Sequence, residues 1–178
     1  MQGSNAIGCR CGRVRLELSG APILSAECCC SSCRKAGARL EQLPGAPAIL
    51  GSHGTTRFVL YRKDRVTVLA GLDALREFRL SPEAGTRRVV ASCCNTPVFL
   101  DFKGGHWFSL YAGLWRQDTL PPLEMRTMTA DLPDPSVLPD DVPNRKHQSL
   151  GFFAKLLGAW AAMGFRSPYL PVPGKLDA

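Results

Sequence analysis

The stretch Glu27-Cys28-Cys29-Cys30-Ser31-Ser32-Cys33-Arg34-Lys35-Ala36 places four cysteines in one short turn-like segment. Read without Cys29, it is C-x-C-x-x-C. Thiolates one and two residues apart can share a single tetrahedral ion at about 2.3 Å, and soft sulfur ligands in that geometry favour zinc. Working outward, Cys9 and Cys11 form C-x-C in Gly8-Cys9-Arg10-Cys11-Gly12, and Cys93-Cys94 sit in Ser92-Cys93-Cys94-Asn95-Thr96-Pro97. Clusters far apart in sequence, each at a glycine- or serine-containing turn, are how a β-rich chain gathers metal ligands. Two other readings exist for such cysteines: buried thiols acting as small hydrophobes, and disulfides. Neither accounts for the short spacings. The opening MQGSNAIG has no basic patch followed by an apolar stretch, so the expected compartment is a reducing cytoplasm, where a disulfide framework loses its usual context.

The rest of the chain frames these clusters with short strands. In Arg13 to Leu18 (RVRLEL) the alternation puts Val14, Leu16 and Leu18 on one face, which predicts a half-buried strand directly after a cysteine turn. Further strand-like runs are Arg57 to Tyr61, Arg65 to Leu69, Ala74 to Leu80, Thr86 to Ser92, Pro97 to Phe102 and His106 to Tyr111, separated by Gly, Pro or Lys-Asp turns. Strands at this density predict an antiparallel, mainly β core over residues 1–120. Arg34 to Gln42 reads as one short helix. Residues 121–143 hold six prolines and five acids with little apolar periodicity, so 121–148 is expected to be a linker or strap. The remaining 149–178 is expected to be a C-terminal helix, Ser149 to Phe165, followed by an extended tail. That helix is apolar nearly all round, which predicts docking onto its own domain or onto a second copy, a candidate homo-oligomer contact. Its sixteen apolar-rich residues, broken by Lys155, fall short of the roughly 20 needed to cross a bilayer.

Of 178 residues, 45% are hydrophobic and 21% charged, as expected of a globular chain, and the net charge is +7. All of that excess lies before residue 121, where 16 Lys and Arg face 9 Asp and Glu; the remainder holds 6 of each. The arginines form no run, and Trp107, Phe108, Tyr111, Leu114 and Trp115 read as core and not as a base-stacking platform, so nucleic acid is not the expected partner. His53, in a loop, is a candidate fourth ligand or acid/base group, against the more ordinary reading that it is neither; His106 reads as structural. There is no phosphate-cradling loop and no dinucleotide fingerprint.

Taken in order, Cys9-Arg10-Cys11-Gly12-Arg13-Val14, Cys28 to Ala36, and Cys94-Asn95-Thr96-Pro97 resemble the motifs of the glutathione-dependent formaldehyde-activating enzyme family, which also includes centromere protein V. The resemblance spans roughly residues 7–115. It implies a Mss4-like antiparallel β fold stapled by zinc, with two metal sites. One is a closed structural site made by Cys9 and Cys11 with the late cysteines; the other is a three-thiolate site made by Cys28, Cys30 and Cys33. Two positions depart from the pattern C-x-x-C-G-T-P: Ala91 stands where the first cysteine belongs, and Asn95 replaces the glycine. Cys93 is the candidate substitute, although adjacent side chains in a strand point to opposite faces unless the backbone kinks.

A three-thiolate zinc keeps a coordination position open, which is the catalytic arrangement, provided Cys29 points away. The resemblance therefore implies a carbon-sulfur lyase-like enzyme acting on a thiol or a glutathione-like adduct, with Arg34 and Lys35 as candidate binders of the substrate's carboxylates. The alternative is a non-catalytic zinc-binding β-module that binds protein or nucleic acid.

Overall fold

The computed structural model describes residues 5–178, and the strand that the RVRLEL alternation predicts is present as the second of ten. β2 (Arg15–Leu18) lies between β1 (Asn5–Gly8) and β5 (Val66–Ala70) in a three-stranded antiparallel sheet. Its buried residues Leu16 and Leu18 meet Val59, Val89, Phe99 and Leu110 of a second, larger sheet in one apolar cluster. Each such side chain removed from water contributes about 1.5–3 kcal/mol, so this face is what holds the two sheets together.

The larger sheet has seven strands in the order β10-β3-β4-β9-β8-β7-β6. They are β3 (Leu24–Cys28), β4 (Thr56–Arg62), β6 (Leu75–Phe78), β7 (Thr86–Ala91), β8 (Thr96–Phe102), β9 (Trp107–Tyr111) and β10 (Met125–Thr127). The molecule is mainly β, with one helix after β3 and one near the C-terminus. The purely antiparallel expectation needs one correction: β10 runs parallel to β3, because the chain after β9 crosses back along the strap before pairing.

Three strands are invisible to the alternation rule. β3 (LSAEC) is buried on successive residues and shows no period of two. β1 (NAIG) and β10 (MRT) are too short to show one, and β10 lies inside the proline-rich segment. The first helix, α1 (Ser31–Leu40), begins before the predicted Arg34 because Cys30 supplies the N-cap, its sulfur accepting from the Cys33 amide at 3.3 Å. A cysteine is not a usual cap, so sequence rules place the start too late.

The strap of 121–143 is docked. Arg126 of β10 is buried and ion-paired to Glu27 of β3 at 2.7 Å, and to Asp141 at 2.7 Å. Leu132 and Leu138 cover Cys29. The second helix, α2 (Leu150–Ala162), is capped by Ser149 and lies on the core through Phe152 and Leu156, which pack with Phe58, Leu60, Leu100 and Tyr111. His106 is structural: it is buried, its Nε2 lies 2.8 Å from the Leu156 carbonyl, and its ring stacks on Trp160. Leu150, Phe153 and Leu157 remain exposed on the opposite side. The tail then follows β6, where the Glu77 amide donates to the Gly174 carbonyl and the Leu176 amide donates to the Glu77 carbonyl, covering the sheet edge.

Packing on one face only makes Phe152 the anchor of α2. Phe152→Ala is expected to cost about 3 kcal/mol, the usual cost of emptying a buried aromatic position. A urea titration of the full chain, comparing midpoints at unchanged slope, checks it.

β7 (TRRVVA) carries two arginines into the interior. Arg87 is answered by Asp101 at 2.9 Å, Glu77 at 3.5 Å, the Leu170 carbonyl and the ring of Tyr169. Lys63 shares Asp101 at 2.8 Å. Arg88 faces the other side of the sheet, toward Ser32 of α1, and among the described residues no carboxylate pairs with it.

Candidate metal centres

The first centre is assembled by two turns. After β1 the chain turns through Cys9-Arg10-Cys11-Gly12, where Gly12 has φ +79° and donates to the Cys9 carbonyl at 2.9 Å. A side chain at that φ would be strained. The turn's inner amide, from Val14, donates to the Cys9 sulfur at 3.3 Å. Opposite lies the β7–β8 connection Ser92-Cys93-Cys94-Asn95, in which the Cys94 amide bonds back to the Ala91 carbonyl and Asn95 adopts φ +51°. Asn95 thus takes the left-handed conformation that glycine would supply, at modest cost for this residue type. The connection is a tight turn and not an extended strand, which is how two adjacent cysteines reach one site. Ala91, at the strand end, is wholly buried in the core.

All four sulfurs of Cys9, Cys11, Cys93 and Cys94 lie within 4.8 Å of one another. Cys9–Cys11 is 3.6 Å, Cys9–Cys93 3.8 Å, Cys11–Cys93 3.3 Å and Cys93–Cys94 3.9 Å. A tetrahedral tetrathiolate with metal–sulfur bonds of about 2.3 Å has sulfur–sulfur edges of about 3.8 Å. These residues therefore fit a metal ion, and Cys93 stands where the sequence lacks the earlier cysteine. Burial opposes ionisation of Cys94, but hydrogen bonds from Thr96 and from Cys11 outweigh it and bring the thiol down to about 6.

The second centre lies at the junction of β3 and α1. Cys28 ends the strand, Cys30 caps the helix, and Cys33 lies in its first turn, with the three sulfurs within 4.8 Å of one another. Cys29 points away and is fully buried beneath Leu132 and Leu138. The sulfurs are electrically coupled: hydrogen bonds from Cys28 and Cys33 hold Cys30 far below the usual thiol range, and the bond to Cys30 drives Cys28 far above it. Three soft donors with one stabilised thiolate fit a metal ion that replaces the two remaining protons. All eight cysteines are free thiols.

The two centres differ in what lies beside them. The three sulfurs of the second line a cavity of about 240 Å³ between the large sheet and α2. Its walls are largely apolar, formed by Phe58, Leu60, Leu100, Phe102, Trp107 and Phe152. The polar contribution comes from Ser32, Thr86, Arg88, Ser109, Thr127 and Gln148. Arg34 and Lys35 are elsewhere: Arg34 donates to the Asp131 carbonyl at 3.1 Å, and Lys35 is exposed on the outer side of α1. Neither lines the cavity. His53 lies in the 51–54 turn and belongs to neither sulfur cluster. Sequence reasoning missed Arg88 and the aromatic walls, since an arginine in a strand with a second arginine beside it reads as solvated surface.

Comparison with known proteins agrees with the motif order. Residues 4–45, which contain Cys9, Cys11, Cys28, Cys30 and Cys33, match the family described as glutathione-dependent formaldehyde-activating enzyme. The match takes in the first two cysteine motifs and covers about a quarter of the chain. A crystal structure of a Rhodobacter sphaeroides protein aligns with a TM-score of 0.47 and 13% identity, covering 67% of this chain and 97% of that one. No curated protein matches the chain. Among the described residues, no helix is long and apolar enough to cross a membrane.

Proposed function

We propose that the chain is a zinc-dependent carbon-sulfur lyase-like enzyme acting on a small thiol or thiol adduct at the Cys28, Cys30, Cys33 centre. The observation that carries this reading is the contrast between the two clusters. One has four sulfurs, enough to fill a tetrahedral ion; the other has three, and its cysteines line a cavity of about 240 Å³. A closed site serves stability, and a three-ligand site leaves a position for substrate.

Cys9, Cys11, Cys93 and Cys94 would hold a structural zinc, and Cys28, Cys30 and Cys33 a second. When bound there, zinc would supply Lewis acidity and stabilise a thiolate form of the substrate. The chain's own residues do the rest. The aromatic walls exclude water from the reacting end, and Phe152 of α2 closes one side of the cavity. Holding substrate in that enclosed space is itself a source of rate, because orientation is fixed before reaction. A reducing cytoplasm would keep the seven clustered thiols available for metal.

Metal content separates this reading from a binding module. The wild-type chain is expected to contain about two zinc ions by elemental analysis, and Cys33→Ser about one, with its thermal unfolding shifted by only a few degrees. Cys33→Ser is also expected to abolish metal-dependent thiol binding. If Cys33→Ser and Cys11→Ser lose folding to the same extent, both centres are structural and the non-catalytic module is the correct reading.

A further inference from the structure

Arg88 is 1% exposed. Its Nη2 donates to the Ser32 carbonyl at 3.3 Å and to Ser32 Oγ at 3.0 Å, while Nε and Nη1 are buried with no partner. Trp107 Nε1 is also buried without a partner. Both residues line the cavity beside the three sulfurs. Buried polar groups are normally satisfied, and a charged donor left unpaired is costly. The Tyr111 hydroxyl also lies against the Arg88 guanidinium, but Arg88 Nε and Nη1 and Trp107 Nε1 are donors that still lack an acceptor.

We infer that Arg88, with Trp107, is a carboxylate-binding subsite, and that the ligand of this cavity is a small monocarboxylic acid with an apolar body. This rests on the reading above only in placing the ligand's reactive end at the three sulfurs. The anion is a single carboxylate because the cavity offers one cation; a phosphate dianion would ask for more. The body is apolar because six aromatic or aliphatic side chains form the walls. Glutathione is a poor fit. It brings two carboxylates and an ammonium group, and no Asp or Glu lines the cavity to receive the ammonium.

The test measures equilibrium binding to the full, metal-loaded chain by calorimetry or tryptophan fluorescence, with no turnover required. 3-Phenylpropionate is expected to bind at least about tenfold tighter than its methyl ester, as a charge-assisted hydrogen bond allows. In Arg88→Met the acid should fall to the affinity of the ester, with Arg88→Lys in between. Equal binding of acid and ester by the wild type, which needs no variant, overturns the subsite, as does unchanged acid binding by a folded Arg88→Met. Glutathione binding as tightly as 3-mercaptopropionate overturns the monocarboxylate assignment. A separate comparison, 3-mercaptopropionate against the near-isosteric butyrate, reads the thiol end. If those two bind equally, the lyase reading fails while an Arg88-dependent preference for acid over ester still supports the subsite.

Discussion

Exhaustive removal of metal from the purified chain is expected to abolish cooperative folding of the N-terminal sheet. The four sulfurs of the first centre bring the turn after β1 against the turn between β7 and β8, so an ion held there would tie the small sheet to the end of the large one. Without an ion, sulfurs 3.3–3.9 Å apart hold protons or repel one another and bind the turns weakly. Structural thiolate sites contribute about 10–16 kcal/mol in small zinc-dependent folds. A domain is stable by only about 5–15 kcal/mol. Cys11→Ser should reproduce much of the effect by removing one ligand. Circular dichroism and thermal unfolding before and after chelation make the measurement, and a metal-free chain that still melts cooperatively at the original temperature would contradict it.

Truncation after Pro122 should be nearly as damaging. It removes β10 and with it the Arg126–Glu27 pair, whose side chains are 7% and 17% exposed. It also uncovers Cys29, removes Phe152 and Leu156 from the core, and strips the tail from β6. Four large apolar side chains, Leu132, Leu138, Phe152 and Leu156, leave buried positions. At about 1.5–3 kcal/mol each, their loss is comparable to the whole stability of a domain. The exposed edges of β3 and β6 would further invite strand pairing between molecules. The shortened chain is expected to aggregate or to melt at least about 10 °C lower; a soluble product with unchanged thermal stability would show that residues 123–178 are an appendage.

Much of this architecture is written locally. The RVRLEL alternation, the turns that punctuate β4 to β9, and the proline cluster before α2 are short-range patterns, and each predicted strand appears within a few residues of its place. The elements not foreseen lack a local pattern. β3 is buried on consecutive residues, and β10 owes its three residues to a partner strand far away in sequence. The cap of α1 required a sulfur that happens to point at the Cys33 amide.

The candidate sites divide in the same way. Cysteine spacing marked Cys9, Cys11, Cys28, Cys30 and Cys33 as candidate ligands, because sulfurs two or three residues apart in a turn are readily brought together. Tertiary structure alone decided that Cys93 and Cys94 both reach the first centre, through a turn opened by the left-handed Asn95. It also decided that Arg88 and not Arg34 or Lys35 faces the second. A side chain's surroundings depend on which sheet face and which helix cover it, and those partners come from residues as distant as Phe152. No spacing rule sees that far, since burial of a charge is settled by packing between elements and not by the sequence next to it.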